Sequence, residues 1–508
     1  MLKALSKLYK ARIITPSGLY KLASSVFHSG VNLMALLHFS AKLYPESVAL
    51  VDEHEEITYK DLLTQTEQLT MALQTIYHIV PSQKVAIMCR NHASLIRAIF
   101  SVSQCGADIF LLNVEMNSTQ FNSLQTKHNF DLVIHDEEAT TIIRQHAAKY
   151  KTIPAYHLKL PSIDSLAKTV TTPFPPITRS RSGNIIVLTG GTTGDFKIAA
   201  RKPSVANFLP PFFALINKLD LTAFSTVYIA TPVCHGFGLA AAFMSLTLGT
   251  KVFLQQKFDA PQAAALIRQH KIEVITVVPL MLSRLLKHDP SALGSLACII
   301  SGGAALSPDL ADKTINTLGH KLFNLYGTSE AGFSILATPD HLRYSSKTAG
   351  KKITGVQLKI LDTDNNEIQD NTIGRICIKS SWAMSNSGWI ETGDLGYKDG
   401  NGYYFLHGRT DDMIVSGGEN VYPIELENIL LRHKEIRQVA VIGVEDEEFG
   451  QRLKAFVART TGSTLGKNEI LLWLSTQAAR YQVPKHIEFI DDIPHTSLGK
   501  PDKKLLLK

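Results

Sequence analysis

NIIVLTGGTTGDFKIAARK, residues 184–202, passes from strand to loop within a few positions. Asn184 to Leu188 are mostly β-branched or aliphatic and predict a buried strand, and Thr189, Gly190, Gly191, Thr192, Thr193 and Gly194 predict the loop after it. Glycines there let backbone N–H groups close on phosphate oxygens, threonine hydroxyls donate further hydrogen bonds, and Lys197 adds a positive charge. The pattern is not a Walker loop, because Lys197 follows Phe196 and precedes Ile198 where that motif needs Gly-Lys-Ser/Thr. Nor is it a dinucleotide fingerprint, which would need glycine at Thr189. A Gly/Thr run by itself also suits a solvent-facing turn, so the rest of the chain has to decide.

Around that loop, from Val48 to about Gly350, short apolar runs alternate with longer amphipathic stretches. Strands are expected at Val85–Met88, Asp108–Leu112, Leu132–His135, Val227–Ala230, Lys251–Leu254, Ile272–Val278 and Cys298–Ile300, with helices such as Tyr59–Ile76 and Pro261–His270 between them. Alternation of this kind predicts parallel sheets covered by helices. Thr171–Arg181, with Pro173, Pro175 and Pro176, reads as a linker into the Gly/Thr loop. Asp362, Asp364 and Asn366 resemble the start of a calcium loop, but Glu367 and Ile373 stand where such a loop needs glycine and glutamate, so a polar hairpin turn is expected. Past Gly408 the pattern becomes a compact α+β unit. It has a helix from about Pro423, strands near Val439–Gly443 and Leu453–Ala458, a helix near Asn468–Leu474, and a strand near Ile487–Ile490.

At 508 residues the chain exceeds one ordinary core. The hydrophobic fraction of 45% and charged fraction of 19% belong to a folded globular protein. A net charge of +7 suits anionic ligands such as nucleotides, but no Lys/Arg block of groove-binding kind appears, so no nucleic-acid partner is expected. Five scattered cysteines without a Cys-x-x-Cys pair fit a reducing, cytoplasmic setting. No apolar run reaches the ~20 residues of a membrane-spanning helix. Residues 1–45 carry Lys3, Lys7, Lys10, Arg12, Lys21 and Lys42 among several leucines and no acid. A helix docked on the domain is the favoured reading of the start; a peripheral contact with an anionic membrane, or a transit peptide, is the alternative.

Further motifs follow in order. SGGAAL, residues 301–306, places Gly302, Gly303 and Ala304 after an apolar strand, where small residues leave room for a flat ring. NLYGTSEAG, residues 324–332, offers the aromatic face of Tyr326, Gly327, the hydroxyl of Thr328 and the carboxylate of Glu330. WIETGDLG, residues 389–396, holds Asp394 in what reads as a glycine-flanked turn. LHGRTDDMIVSGGENVYPIELE, residues 406–427, carries Arg409, Asp411, Gly417 and Gly418, and IPHTSLGKPDKK places Lys500 on a glycine-preceded loop.

Five motifs in this order and spacing resemble the superfamily of adenylate-forming enzymes, which includes acyl-CoA and aryl-CoA synthetases, over about residues 35–505. The resemblance implies an α/β fold, with a large N-terminal domain of layered sheets and helices (1–410) and a small, mobile α+β lid (411–508). It also implies ATP, Mg²⁺ and coenzyme A as cosubstrates and cofactor. Thr189–Gly194 and Lys197 would hold the β- and γ-phosphates. Gly302–Ala304 and Tyr326 would sandwich adenine, Asp394 would accept from the ribose hydroxyls, and Arg409 would support ribose and phosphate. Glu330 with Thr192 would bind Mg²⁺, and Lys500 would neutralise charge between substrate carboxylate and α-phosphate. Asp411 would be the hinge, and Gly417 and Gly418 would line the pantetheine tunnel, which favours a CoA ligase. Phe196 and Ile198 flank the lysine where the family has proline and glycine, and His495 replaces the usual arginine.

For the acid, TPVCHGFGLAAAF, residues 231–243, contains no carboxylate, so an amino acid is not expected. His235, Phe237 and Gly238 resemble an acyl or aryl pocket, with the glycine making way for the chain or ring. Ala240, Ala241 and Ala242 and the basic start favour a medium- or long-chain fatty acid. An aryl acid, a small acid, transfer to a carrier protein instead of CoA, and a catalytically weak lipid-binding homologue are the alternatives. The oligomeric state, including a homodimer, is left open.

Overall fold

The structure is a computed structural model that describes residues 2–144, 150–169, 179–190, 196–201, 205–383, 388–416, 419–446, 450–479, 482–496 and 499–507. It divides into two compact units: residues 1–277, 287–300 and 381–386, and residues 278–286, 301–380 and 387–508.

The first unit holds a six-stranded sheet in the order Lys151–Pro154, Leu132–His135, Lys84–Met88, Asp108–Leu111, Ile185–Gly190, Phe196–Arg201. Its first five strands run parallel and the last pair is antiparallel. The strands are buried runs such as Leu132–His135, all four residues of which are buried, as expected of parallel strands covered on both faces. A second parallel group pairs Val274–Val277, Thr226–Ile229, Lys251–Leu254 and Val48–Val51, closed by antiparallel Glu56–Thr58. Strand alternation in the sequence is therefore borne out to within one or two residues at most ends. Ile272–Val278 is shorter than expected, at Val274–Val277.

The opening segment forms helices α1 (Leu2–Lys10), α2 (Pro16–Ser29) and α3 (Leu33–Leu43). Leu8 is buried and Lys7 pairs with Asp220 at 2.8 Å, so α1 is docked, as the favoured reading held. The first unit also buries a cation. Arg97 is fully buried and is held by Glu55, by Asp164 at 3.1 Å and by Ser94 at 3.2 Å.

The second unit contains an antiparallel sheet of Gln357–Leu361, Gly374–Lys379, Ile390–Lys398 and Tyr404–Arg409. The turn after Leu361 is a polar one: Asp362 Oδ1 accepts from the backbone N–H of Asp364 and Asn366 at 2.9 and 2.8 Å, as expected. The last segment forms a five-stranded sheet in which the long strand Gly450–Arg459 is central and pairs antiparallel with the similarly long edge strand Ile436–Asp446. Helices Pro423–Leu430 and Lys467–Gln477 pack Leu426, Leu430, Ile470 and Leu474 onto Val439, Val441, Ala455 and Val457. This matches the α+β unit predicted from periodicity.

Candidate active site

In the second unit the residues from four motifs come together on one edge of antiparallel structure. Strand Leu322–Thr328 turns back as Gly332–Ala337, and the register slips between Tyr326 and Gly327. A Cβ at Gly327 would lie 2.4 Å from the Gly332 carbonyl oxygen, so this close crossing requires glycine. The Thr328 hydroxyl accepts from the Ala331 N–H at 3.0 Å, which pins the turn that carries Glu330. The ring of Tyr326 packs beside Ile335, Ala349 and Tyr404, and its hydroxyl donates to Asp394 Oδ2 at 2.6 Å.

Asp394 does not sit in a turn, as the flanking glycines suggested. It lies inside strand Ile390–Lys398, where Gly393 takes φ of 74° and residues 392–394 bulge out of register with Gly374–Lys379. Thr392 holds the bulge, donating to the Ile376 carbonyl at 2.9 Å and accepting from the Asp394 N–H at 3.1 Å. The extra residues turn the Asp394 carboxylate toward Tyr326 and toward Arg409, its cross-strand partner, whose Nη1 donates to Oδ1 at 3.1 Å. Arg409 also forks onto Asp411, with Nε to Oδ1 at 2.7 Å and Nη2 to Oδ2 at 3.1 Å. A Cβ on Gly393 would come within 2.9 Å of Arg409 Nη2, so the bulge glycine also keeps room for the guanidinium.

Lys500 joins this group from the C-terminal loop. Next to Lys500 the Thr496 N–H donates to the Lys500 carbonyl and the Gly499 N–H to the Thr496 carbonyl, each at 2.8 Å. Gly499 has φ of 69°, and a Cβ there would meet Val278 Cγ2 at 2.7 Å. The next turn is anchored by Lys503 on Asp412 at 3.1 Å.

Charges in this cluster shift one another. Burial raises the Asp394 carboxyl above its ordinary range, opposed by the Tyr326 hydroxyl and by the Arg409 and Lys500 cations. Crowding by protein atoms lowers the Lys500 ammonium, with Asp394 pulling it back and Arg409 lowering it further, although the residue keeps one side open to solvent. Arg409 is held firmly charged, chiefly by its bonds to Asp411. The result is a partly desolvated carboxylate between two cations, with one lone-pair direction on each oxygen already committed to a protein donor. Its remaining acceptor capacity suits a vicinal diol, and the two cations suit an adjoining phosphate. Gly303, exposed and with φ of 78°, presents bare backbone at the end of strand Cys298–Gly302, as a flat ring requires. Oxygen donors alone, Glu330 among them, fit a hard cation such as Mg²⁺. The cluster therefore suits a ribose diol with its phosphate, and Glu330 is the kind of oxygen donor a hard cation takes.

The other expected residues fall elsewhere or outside the described residues. Gly191, Thr192, Thr193, Gly194, Gly417 and Gly418 lie outside them, as does most of the 171–181 linker. Thr189 and Gly190 are not yet loop: the strand runs through them and pairs them with Lys197 and Phe196. The antiparallel ladder extends the strand past the point where glycine alone would end it. In the first unit, His235 caps helix Gly236–Thr247, followed by Phe237 and Gly238. Gly238 faces its own chain, since a Cβ would lie 2.3 Å from the Pro232 carbonyl oxygen. Among the described residues, a Cβ on Gly236 would meet nothing within 4 Å. The local turn by itself requires glycine at 238.

Sequence reasoning missed several supports. Asn91 holds this turn, donating to the Thr231 carbonyl at 3.0 Å and accepting from the Val233 N–H at 2.8 Å. Its partners lie about 140 positions away, so nothing local marks it. Thr392 and the Asp412–Lys503 pair were equally unmarked, although the two acids after Arg409 and the lysines after Lys500 are visible as a charge pattern.

Comparison with known proteins bears on the same residues. The sequence signature of the AMP-binding enzyme family matches residues 37–386, and that of the AMP-binding enzyme C-terminal domain matches residues 425–500. A 2-succinylbenzoate–CoA ligase of Bacillus pumilus is 28% identical over 92% of this chain and 95% of its own. A fatty acid–[acyl-carrier-protein] ligase, ScoC, of Streptomyces coeruleorubidus is 27% identical over 92% and 94%. Among solved structures, ATP-bound MatB from Rhodopseudomonas palustris superimposes with a TM-score of 0.84 at 25% identity, covering 94% of this chain and 98% of that one.

Proposed function

This chain belongs to the AMP-binding enzyme family, and we propose that it is an AMP-forming acid–thiol ligase that joins a carboxylic acid to coenzyme A through an acyl-adenylate. The observation that carries this reading is the cluster of Tyr326, Asp394, Arg409 and Lys500, a diol-and-phosphate site assembled from four separate motifs.

In the first half-reaction the acid's carboxylate oxygen attacks the α-phosphorus of ATP. The new acyl–phosphate bond forms as the bond to pyrophosphate breaks. Asp394 accepts from the ribose hydroxyls, and Tyr326, itself hydrogen-bonded to Asp394, is fixed as one wall for the base with Gly302–Ala304 opposite. Lys500 and Arg409 neutralise the charge that builds at phosphorus, which is the main catalytic work in such a displacement. Thr189–Gly194 and Lys197 hold the leaving phosphates. Glu330, with Thr192, would hold Mg²⁺, which supplies further neutralisation of the phosphates when bound. In the second half-reaction the CoA thiol loses its proton, its sulfur attacks the acyl carbonyl carbon, and AMP leaves. Lys500 has no task in that step, and rotation about Asp411 would remove it while Gly417 and Gly418 line the path of the pantetheine arm.

The named relatives favour an aryl or aryl-alkyl acid over the fatty acid that the small residues at 240–242 suggest. A fatty acid with transfer to a carrier protein is the second reading, favoured by the match to ScoC. Absence of any carboxylate across residues 231–243 supports a bare acid in either case. The deciding experiment is pyrophosphate release from ATP and Mg²⁺ with aryl, aryl-alkyl, fatty and amino acids, each with and without CoA. Release with aryl acids and acyl-CoA as product is expected. Release that yields no thioester with CoA would move the assignment to carrier-protein transfer, and no release with any acid would overturn the ligase reading.

A further inference from the structure

Helix α2 buries serines and leaves its aromatics out: Leu22 and Val26 are half-buried, and Ser17 and His28 are exposed with the aromatics. Its buried positions are Gly18, Ser25 and Ser29, with the two serines 0% and 1% exposed. On the same side Lys21 Nζ donates to the Lys42 carbonyl of α3 at 2.7 Å, and Lys42 Nζ reaches back to Ser24 Oγ at 2.9 Å. The outward side carries Leu19, Tyr20, Ala23 and Phe27, spaced three and four apart as one stripe. Leu19 is 51% exposed, Tyr20 75% and Phe27 78%. Tyr9 of α1 and Val31 after α2 are exposed as well.

This orientation is built in. A Cβ on Gly18 would lie 2.2 Å from the Arg12 carbonyl oxygen and 2.4 Å from that of Ile13, so the turn after α1 closes directly on the first turn of α2. Thr15 caps that turn, accepting from the Gly18 N–H at 3.1 Å. An amphipathic helix on an isolated water-soluble domain would show the reverse arrangement, with serines out and aromatics in.

The stripe is set among cations. Arg179 is exposed beside it, its guanidinium 5.8 Å from the centre of the Phe27 ring, and Lys10, Arg12 and Arg181 are exposed in the same unit. No carboxylate occurs in residues 1–45. Among the described residues, Asp220 pairs with Lys7, and Glu67 lies 3.3 Å from His38, whose burial lowers its pKa to about 4 and so leaves it uncharged at neutral pH.

From this geometry we propose that the outward face of α2 seats the protein on an anionic lipid bilayer, with Leu19, Tyr20 and Phe27 entering the interface and the surrounding cations meeting lipid headgroups. Tyrosine and phenylalanine beside lysine and arginine are the composition that partitions to such an interface. A second copy of the chain fits the face less well, because a twofold contact would set the cations of one copy against the same cations of the other.

Flotation of the full chain with phosphatidylcholine vesicles, with and without phosphatidylglycerol, tests the proposal. Binding is expected only with the anionic lipid and should weaken as salt is raised. The double variant Tyr20→Ser with Phe27→Ser should lower binding about tenfold or more, and so should Lys10→Glu with Arg12→Glu, which leaves the stripe intact. Pyrophosphate release without vesicles should stay unchanged in both, which shows that they fold. Equal flotation with neutral vesicles, unchanged flotation of both variants, or no flotation at all would overturn the proposal. So would a wild-type dimer in lipid-free solution that the Tyr20/Phe27 variant dissociates.

Discussion

In the proposed mechanism the single charge of Lys500 works in one half of the reaction only, and that makes its role separable. Lys500→Ala should slow adenylate formation by about two to three orders of magnitude while largely sparing thioester formation from supplied acyl-adenylate. Measuring the half-reactions separately checks this, and equal loss in both would refute the role. Because desolvation lowers its ammonium, the adenylation rate should fall on the alkaline side at a pH below the ordinary lysine range. Lys500→Arg should move that limb upward. Asp394 gives a second, opposite effect. Its carboxyl is raised on folding, so the stability it contributes is present below the unfolded carboxylate range and is lost as pH rises through the folded value. At neutral pH its ionised form is a cost to the free protein, so Asp394→Asn should abolish activity yet leave the melting temperature equal or a few degrees higher, with the difference shrinking in acid.

Elements matter here chiefly through two glycines that set the direction of a side chain. Gly393 permits the bulge in Ile390–Lys398 that aims Asp394, and Gly499 lets the Lys500 loop close against Val278. Gly499→Ala would carry a left-handed strain of about 1–2 kcal/mol and a clash with Val278 Cγ2. It should lower adenylation much more than thioester formation, as loss of Lys500 placement requires, with little change in melting temperature. The Lys500 loop was legible, since Gly-Lys after Pro-His-Thr-Ser-Leu reads as a turn. The Asp394 bulge was not, because Thr-Gly-Asp-Leu-Gly looks the same as a turn until the flanking strands are known to pair with it. Elsewhere the cost of misplacing an element is structural. Arg97 joins helix Ala93–Cys105 to Glu55 and Asp164 from full burial, and Arg97→Ala should destabilise the first unit by about 2–4 kcal/mol through the buried space it empties, while Lys168, 3.0 Å from Glu55 and 2.7 Å from Asp164, keeps both carboxylates paired. Chemical denaturation would show it.

For the whole molecule the question is how one chain serves two half-reactions. On the proposed mechanism adenylation needs Lys500 beside Asp394 and thioester formation needs that space for another ligand, and a movement at Asp411 is the proposal that reconciles them. In the structure Asp411 is fastened to Arg409 by two bonds. Asp411→Pro would hold one arrangement and should impair one half-reaction at least tenfold more than the other. Normal overall turnover in that variant would count against the hinge. The net charge of +7 acts at this scale too, favouring encounter with polyanionic ATP and CoA and weakening as salt is raised.

The sequence by itself determined the parallel α/β plan, the α+β end and the family, because each rests on local periodicity and on short motifs whose spacing survives reading along the chain. It also marked Tyr326, Asp394, Arg409 and Lys500 as candidates. Only the tertiary structure decided that these four share one cluster, that Asp394 stands on a bulged strand, that Thr189 and Gly190 are paired to Lys197 and Phe196, and that α2 faces its aromatics outward. Each of those depends on which distant backbone lies alongside, and on burial that shifts charges or turns a helix over. A residue's own neighbours in sequence carry no record of either.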